Sequence, residues 1–169
     1  GLFRYDGDAT RPVALTDAVQ NAPVRALRAD RDGVLWIGTE NAGLYRVESD
    51  RPQRVEFDPT NAEQVVTAIH EDAAGALWLG TNKGRLYRST LSGFSEFALR
   101  GQQASIIRAI RHDRNGNLWI ATLRSGLLRL SHGEVAALDT GDVPSSEVRA
   151  LHEDAEGSLW VGTYGGGLL

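Results

Sequence analysis

Four tryptophans, Trp36, Trp78, Trp119 and Trp160, stand 42, 41 and 41 residues apart in this chain of 169 residues. Each sits in nearly the same phrase. The first is Val34-Leu35-Trp36-Ile37-Gly38-Thr39 and the second Ala76-Leu77-Trp78-Leu79-Gly80-Thr81. The others are Asn117-Leu118-Trp119-Ile120-Ala121-Thr122 and Ser158-Leu159-Trp160-Val161-Gly162-Thr163. A period of about 40–45 residues with strand-like content is the signature of propeller blades. Such an array presents loops on a repeated scaffold, so function is sought in the loops and not in one catalytic motif.

Within a period the grammar is constant. Val24-Arg25-Ala26-Leu27-Arg28 reads as an inner strand, followed by the turn Asp30-Arg31-Asp32-Gly33. Aspartate there accepts a local backbone hydrogen bond, and glycine takes the positive φ of a tight hairpin. Leu35–Thr39 favours a pleated, buried surface. A second turn, Glu40-Asn41-Ala42-Gly43, leads into Leu44–Val47, and Arg54–Phe57 reads as the outer strand. The first turn recurs at Asp72, Asp113 and Asp154, and the inner strand at Val66–His70, Ile107–Arg111 and Val148–His152. No helical period of any length is present.

The expected fold is therefore all-β: a propeller of four-stranded antiparallel blades, four repeats in this chain. Residues 1–21 read as strands three and four of a blade, 22–62, 63–104 and 105–145 as full repeats, and 146–169 as strands one and two. The two half-blades close a ring by pairing within one chain, or two chains exchange halves and close a ring of eight blades; a longer parent array is the third arrangement. The chain opens Gly1-Leu2-Phe3-Arg4 in mid-repeat and holds no methionine, which reads as a segment of a longer product.

Composition removes several functions. The formal net charge of −4 gives no case for a nucleic-acid partner. No apolar run approaches the length that spans a bilayer, so no membrane contact is expected of this segment. The absence of cysteine rules out disulfides, thiol catalysis and thiolate metal sites.

The tryptophans read as core: burying one removes roughly 150–250 Å² from water, worth at most about 4–6 kcal/mol. Asp30-Arg31-Asp32-Gly33 lacks the ligand set of a calcium loop. His70 and His152 precede Glu-Asp, but arginine takes the same place at Arg28 and Arg111, so they read as satisfied polar positions. No metal and no cofactor is expected.

Arg25, Thr67, Arg108 and Arg149 begin the inner strands, on the face that also carries the second turns. Those turns vary more than the strands, and they supply Asn41, Asn82, Lys83, Arg124 and Tyr164. This set is the candidate ligand site. Arginine grips carboxylate or sulfate with two parallel hydrogen bonds, which suits a small anionic or polar ligand. The alternative is that these arginines pair with Glu63, Glu147 or neighbouring carboxylates. Glycoside hydrolysis needs two carboxylates at a defined separation, and nothing singles out Glu63 and Glu147 as such a pair. No catalytic residue is assigned.

The phrase from the inner strand through Asp-x-x-Gly-x-Leu-Trp-Ile-Gly-Thr to Gly-Leu-x-Arg resembles the two-component regulator propeller repeat, in four copies over essentially the whole chain. Ala121 replaces the glycine after Trp-Ile, and Arg85 the glycine before Leu-Tyr-Arg. The resemblance implies seven-bladed rings in the periplasmic sensor half of membrane proteins whose output half is a histidine kinase or diguanylate cyclase. It also implies oligosaccharides among the ligands. The expectation is a non-enzymatic, ligand-sensing segment in the periplasm. A self-assembling interaction module, with a homodimer closing the eight-bladed ring, is the second reading, and a propeller glycosidase or lyase the third.

Overall fold

A computed structural model describes residues 2–13, 19, 21–49, 51–58, 60, 65–100, 105–138 and 147–168. The regular elements in this range are almost all strands. A hairpin of β1 (Phe3–Tyr5) and β2 (Thr10–Pro12) comes first. Three four-stranded antiparallel blades follow. The first is β3 (Val24–Ala29), β4 (Leu35–Thr39), β5 (Leu44–Glu48) and β6 (Arg51–Val55). The second is β7 (Val66–Glu71), β8 (Leu77–Thr81), β9 (Leu86–Thr90) and β10 (Gly93–Phe97). The third is β11 (Ile107–His112), β12 (Leu118–Thr122), β13 (Leu127–Ser131) and β14 (Glu134–Ala137). A three-stranded fourth blade comprises β15 (Val148–Glu153), β16 (Leu159–Thr163) and β17 (Gly167–Leu168). No helix of the described residues is long and apolar enough to cross a membrane.

The blades stack in chain order, with β3 against β7, β7 against β11 and β11 against β15. Second strands are the centre of the core: every residue of β8 and β12 is buried, because each is covered by a blade on both sides. The seams repeat position by position. Leu44 of the first blade packs with Val66, Leu79 and Tyr87 of the second. Leu2 of the hairpin packs with Val24, Ile37 and Tyr45, the same positions one period earlier. The hairpin thus packs against the first blade at the positions through which one blade packs against the next.

The first turn is a clamp on the tryptophan six residues later. Asp30 Oδ1 accepts the backbone N–H groups of Asp32 and Val34 at 3.1 and 2.8 Å, and Oδ2 accepts the Trp36 indole N–H at 2.8 Å. The same three bonds recur at Asp72, Asp113 and Asp154. The closing glycines, such as Gly33 at φ +81, adopt the left-handed turn that a side chain would strain. Asp72, Asp113 and Asp154 are held below the usual carboxylate range. At Asp72 and Asp113 burial works against ionisation but is outweighed by the indole and turn donors, whereas at Asp154 the Trp160 indole is the main cause.

Alternate seams carry an added ion pair. Arg31 donates to Glu71 of the next blade at 2.6 Å and to the carbonyls of Asp72 and Ala73 at 2.8 and 3.0 Å. Arg114 repeats this on Glu153 and the Asp154 carbonyl at 2.9 and 2.7 Å. The matching turn positions in the second and fourth blades are Ala73 and Ala155, and the matching acceptor positions in the first and third are Ala29 and His112. The seam between blades two and three therefore has no such pair, and the repeats alternate in type.

Two points differ from the sequence reading. The outer strand of the first blade is Arg51–Val55, not Arg54–Phe57. Its turn is tighter, passing through Ser49 at φ 49, and Phe57 beyond the strand is buried against Tyr87. Trp160 departs from the core role. Trp78 and Trp119 are 5% and 9% exposed, whereas Trp160 is 43% exposed, because no following blade lies over its face within the chain. Of the arrangements the sequence leaves open, pairing of the two half-blades within one chain is not the one seen among the described residues, where β1–β2 and β15–β17 are separate sheets.

Candidate functional site

All four inner strands carry a β-bulge at the same place. The register against the second strand slips between Val24 and Ala26, Val66 and Ala68, Ile107 and Ala109, and Val148 and Ala150. The extra residue is Arg25, Thr67, Arg108 or Arg149, the four inner-strand candidates. A bulge releases one residue from the ladder and re-aims its side chain, a device common beside binding sites. The sequence pattern contains no bulge signal, since Val-Arg-Ala-Leu reads as simple alternation.

Backbone bonds fix the second turns to the start of these strands. Glu40 N donates to the Pro23 carbonyl at 2.9 Å, Asn82 N to Val65 at 3.0 Å, Leu123 N to Ile106 at 2.9 Å and Tyr164 N to Glu147 at 3.0 Å. Asn82 adds a second link, its Oδ1 accepting the Val65 N–H at 3.1 Å. Each turn is closed by its threonine: the Thr39 hydroxyl donates to the Gly43 carbonyl at 2.8 Å and accepts from Ala42 N at 3.0 Å. Asn41, Asn82, Lys83, Arg124 and Tyr164 therefore share one rim with the bulge residues.

The rim is charged and partly paired. Arg25 meets Glu40 at 2.7 Å, with both side chains about half exposed. Glu147 draws in Arg149 at 2.6 Å and Arg108 from the neighbouring blade at 3.9 Å. Glu147 and Glu40 are thus the carboxylates these arginines face, while Glu63 lies outside the described residues. The Arg149 guanidinium also lies 4.5 Å over the Tyr164 ring. Thr67 instead donates its hydroxyl across the seam to the Ile107 carbonyl at 2.6 Å. Arg108 Nε is buried without a hydrogen-bond partner in the protein. Arg124 and Lys83 are exposed at their turn tips. Of the residues named, five cations face two carboxylates, so the rim keeps a positive excess on an acidic chain.

At the opposite end, His70 and His112 stack across the seam between blades two and three, centroids 5.3 Å apart. His112 N donates to His70 Nε2 at 3.2 Å, which requires a neutral His70 ring. Burial, with His112, Arg28 and Arg111 adding to it, lowers the His70 pKa to about 4. An unfolded histidine takes up its proton near pH 6.5, so between 6.5 and 4 the unfolded chain binds a proton that the folded chain refuses. Stability contributed by His70 is complete above pH 6.5 and lost as pH falls toward 4, by about 2 kcal/mol once solvent screening is allowed for. Urea unfolding at pH 7 and pH 4.5 measures this. His70→Gln, whose amide oxygen still accepts from His112 N, is expected to flatten that loss; an unchanged pH slope would refute it. Among the described residues no group of three His, Asp or Glu side chains is placed to hold a metal.

The family model for the two-component regulator propeller matches residues 18–41, 62–83, 101–124 and 142–165, more than half of the chain. The chain belongs to the two-component regulator propeller family. Each match runs from the inner strand through the tryptophan clamp to the second turn, so the motif that defines the family is the structural part of the blade. Solved relatives share the architecture. The extracellular domain of a protein described as a hybrid two-component system from B. thetaiotaomicron is 26% identical with a TM-score of 0.68, over 84% of this chain and 19% of that one. A second such domain from the same organism is 21% identical with a TM-score of 0.72, over 86% and 21%. A catalytically inactive virginiamycin B lyase from Staphylococcus aureus with quinupristin is 20% identical with a TM-score of 0.75, over 97% and 60%, a likeness of fold alone. This regulator propeller thus spans about a fifth of the length of the two-component ectodomains it matches. No curated protein matches its sequence.

Proposed function

We propose that this chain supplies blades to an extracytoplasmic, ligand-sensing propeller of a signal-transduction protein, and that it binds its ligand without converting it. Membership of the regulator propeller family and likeness to two-component ectodomains support the sensor role. In this reading the output chemistry, kinase or cyclase, lies outside these residues. The ligand is a small anionic or polar molecule, an acidic oligosaccharide first, seated on the rim of bulge residues. The observation that supports this is the repeated bulge at Arg25, Arg108 and Arg149, on the rim that also carries the turns of Asn41, Asn82, Lys83, Arg124 and Tyr164, with Arg149 lying over the Tyr164 ring. Arginine forks suit carboxylates, and a tyrosine face suits the apolar side of a sugar ring.

Calorimetric titration with oligogalacturonides and with neutral malto-oligosaccharides tests the reading. The acidic series is expected to bind, and Arg149→Ala to weaken it at least tenfold through the loss of a charge-assisted hydrogen bond. No heat from either series, or equal affinity in Arg149→Ala, would sink the proposal.

A further inference from the structure

We propose that Arg28, His70 and Arg111, at the end of the blades opposite the rim, form a second binding site, one that takes a tetrahedral oxyanion such as a phosphate group. The three residues hold one position in successive inner strands, each opposite the tryptophan of its own blade. Arg28 pairs with Trp36, His70 with Trp78 and Arg111 with Trp119. Strand β7 packs against both β3 and β11, so the histidine position lies between the two arginine positions. Burial, then His112, Arg28 and Arg111, disfavours a charged His70, which places both guanidiniums within electrostatic reach of its ring. The site shares no residue with the rim.

Hydrogen bonding in this cluster is incomplete. Arg28 Nε, Arg111 Nε and His112 Nδ1 are buried with no hydrogen-bond partner in the protein. Buried polar atoms are ordinarily paired, so orphans gathered in one place mark the seat of a ligand. His70 accepts the His112 N–H at Nε2, at 3.2 Å, so its neutral ring carries the proton on Nδ1 and offers a donor there. The nearby carboxylates are committed elsewhere. Glu71 holds the Arg31 side chain at 2.6 Å and accepts Arg31 N at 3.0 Å, and Arg28 comes no closer to it than 4.0 Å. Asp72 and Asp113 take the indole N–H groups of Trp78 and Trp119. Arg111 makes no ion pair with any described residue.

Two guanidiniums and an imidazole N–H from adjacent strands are the donor set of an oxyanion site. Arginine presents paired N–H groups that match phosphate oxygens, and two arginines balance a doubly charged group. The Arg28 side chain is 41% exposed, so a ligand reaches it from solvent without parting the blades. The cluster also straddles the seam where Ala73 stands in place of an arginine and His112 in place of a glutamate. A bound oxyanion ties blades two and three as the ion pairs tie their neighbours.

Inorganic phosphate titrated into the 169-residue chain at pH 7 and constant ionic strength, followed by NMR at the His70 ring and the His112 amide, tests the site. Both signals are expected to shift and saturate with a dissociation constant of about 1 mM or tighter, while chloride moves neither. Arg28→Gln and Arg111→Gln are each expected to weaken binding about tenfold or more. Arg51→Gln, on the outer strand of the first blade, is expected to leave it unchanged. Glycerol 3-phosphate in the same titration separates two sources of the group: tighter binding than inorganic phosphate assigns a phosphate ester, weaker binding the free ion. No saturation by about 10 mM, an equal response to chloride, or binding untouched by both arginine variants would each overturn the proposal.

Discussion

Gly80→Ala is expected to destabilise the chain by about 3 kcal/mol, a fall of roughly 10 °C in melting temperature at this size. Gly80 follows the Trp78-Leu79 pair in β8 and has no positive φ, so backbone strain is not the reason. The reason is the neighbouring blade. A Cβ on Gly80 would collide with Ile107 Cγ2 and lie 2.8 Å from Ile107 Cβ and 3.1 Å from Ile110 Cδ1. Ile107 is fully buried and its Cβ is fixed to the β11 backbone, so only a shift of the whole blade relieves the contact. Gly38 is under the same constraint, with the Val66 carbonyl oxygen 2.6 Å from its would-be Cβ. In the third blade Ala121 stands at this position, packed with Val148. Ala121→Gly is therefore expected to cost only about 1 kcal/mol, the loss of one buried methyl and some chain entropy. Thermal unfolding of both variants decides the matter. If Gly80→Ala costs no more than Ala121→Gly, the seam is looser than the structure has it.

That glycine shows where sequence reading stops. The tryptophan period, the Asp-x-x-Gly turns and the alternation of Leu44–Val47 each reflect a residue's place in its own sheet, and strand periodicity reports burial of that kind directly. What one blade does to the next is not periodic within a strand. The tight approach at Gly80 and the Arg31–Glu71 and Arg114–Glu153 pairs join residues of neighbouring blades that are distant in sequence, and a run of two or three residues gives no sign of them. Trp160 reads in sequence like its three sisters, and only the absence of a blade over it within the chain separates them. The candidate rim was partly legible: the shared face follows from blade topology, and the Glu147 pairing was one of the two readings open for the arginines. The bulge that frees Arg25, Thr67, Arg108 and Arg149 was not, because it depends on how the inner strand fits the second strand and the next blade. Asp30 and Trp36 could both be read as structural, but the bond between them was hidden because they face each other across a hairpin.

Asp72→Ala is expected to cost about 3–4 kcal/mol, since it strands three donors together. Ala74 N, Ala76 N and the Trp78 indole N–H all end on Asp72, at 3.0, 2.8 and 3.0 Å. Trp78 is buried between Phe97 and the third blade, so its indole N–H has no route to water. Arg88 reinforces the carboxylate at 3.5 Å while its guanidinium stands 5.2 Å over the Trp78 ring. Asp72→Asn separates the parts of this loss. One amide oxygen still accepts the two turn N–H groups, but an amide N–H then faces the indole donor, so a cost of about 2 kcal/mol is expected. Trp78→Phe removes the donor and makes the asparagine tolerable. The double-mutant cycle between Asp72→Asn and Trp78→Phe, measured by urea unfolding, is expected to show about 1–2 kcal/mol of coupling. Coupling near zero would mean that the aspartate shapes its turn alone, and that the tryptophan which sets the period of this chain is held by packing and nothing else.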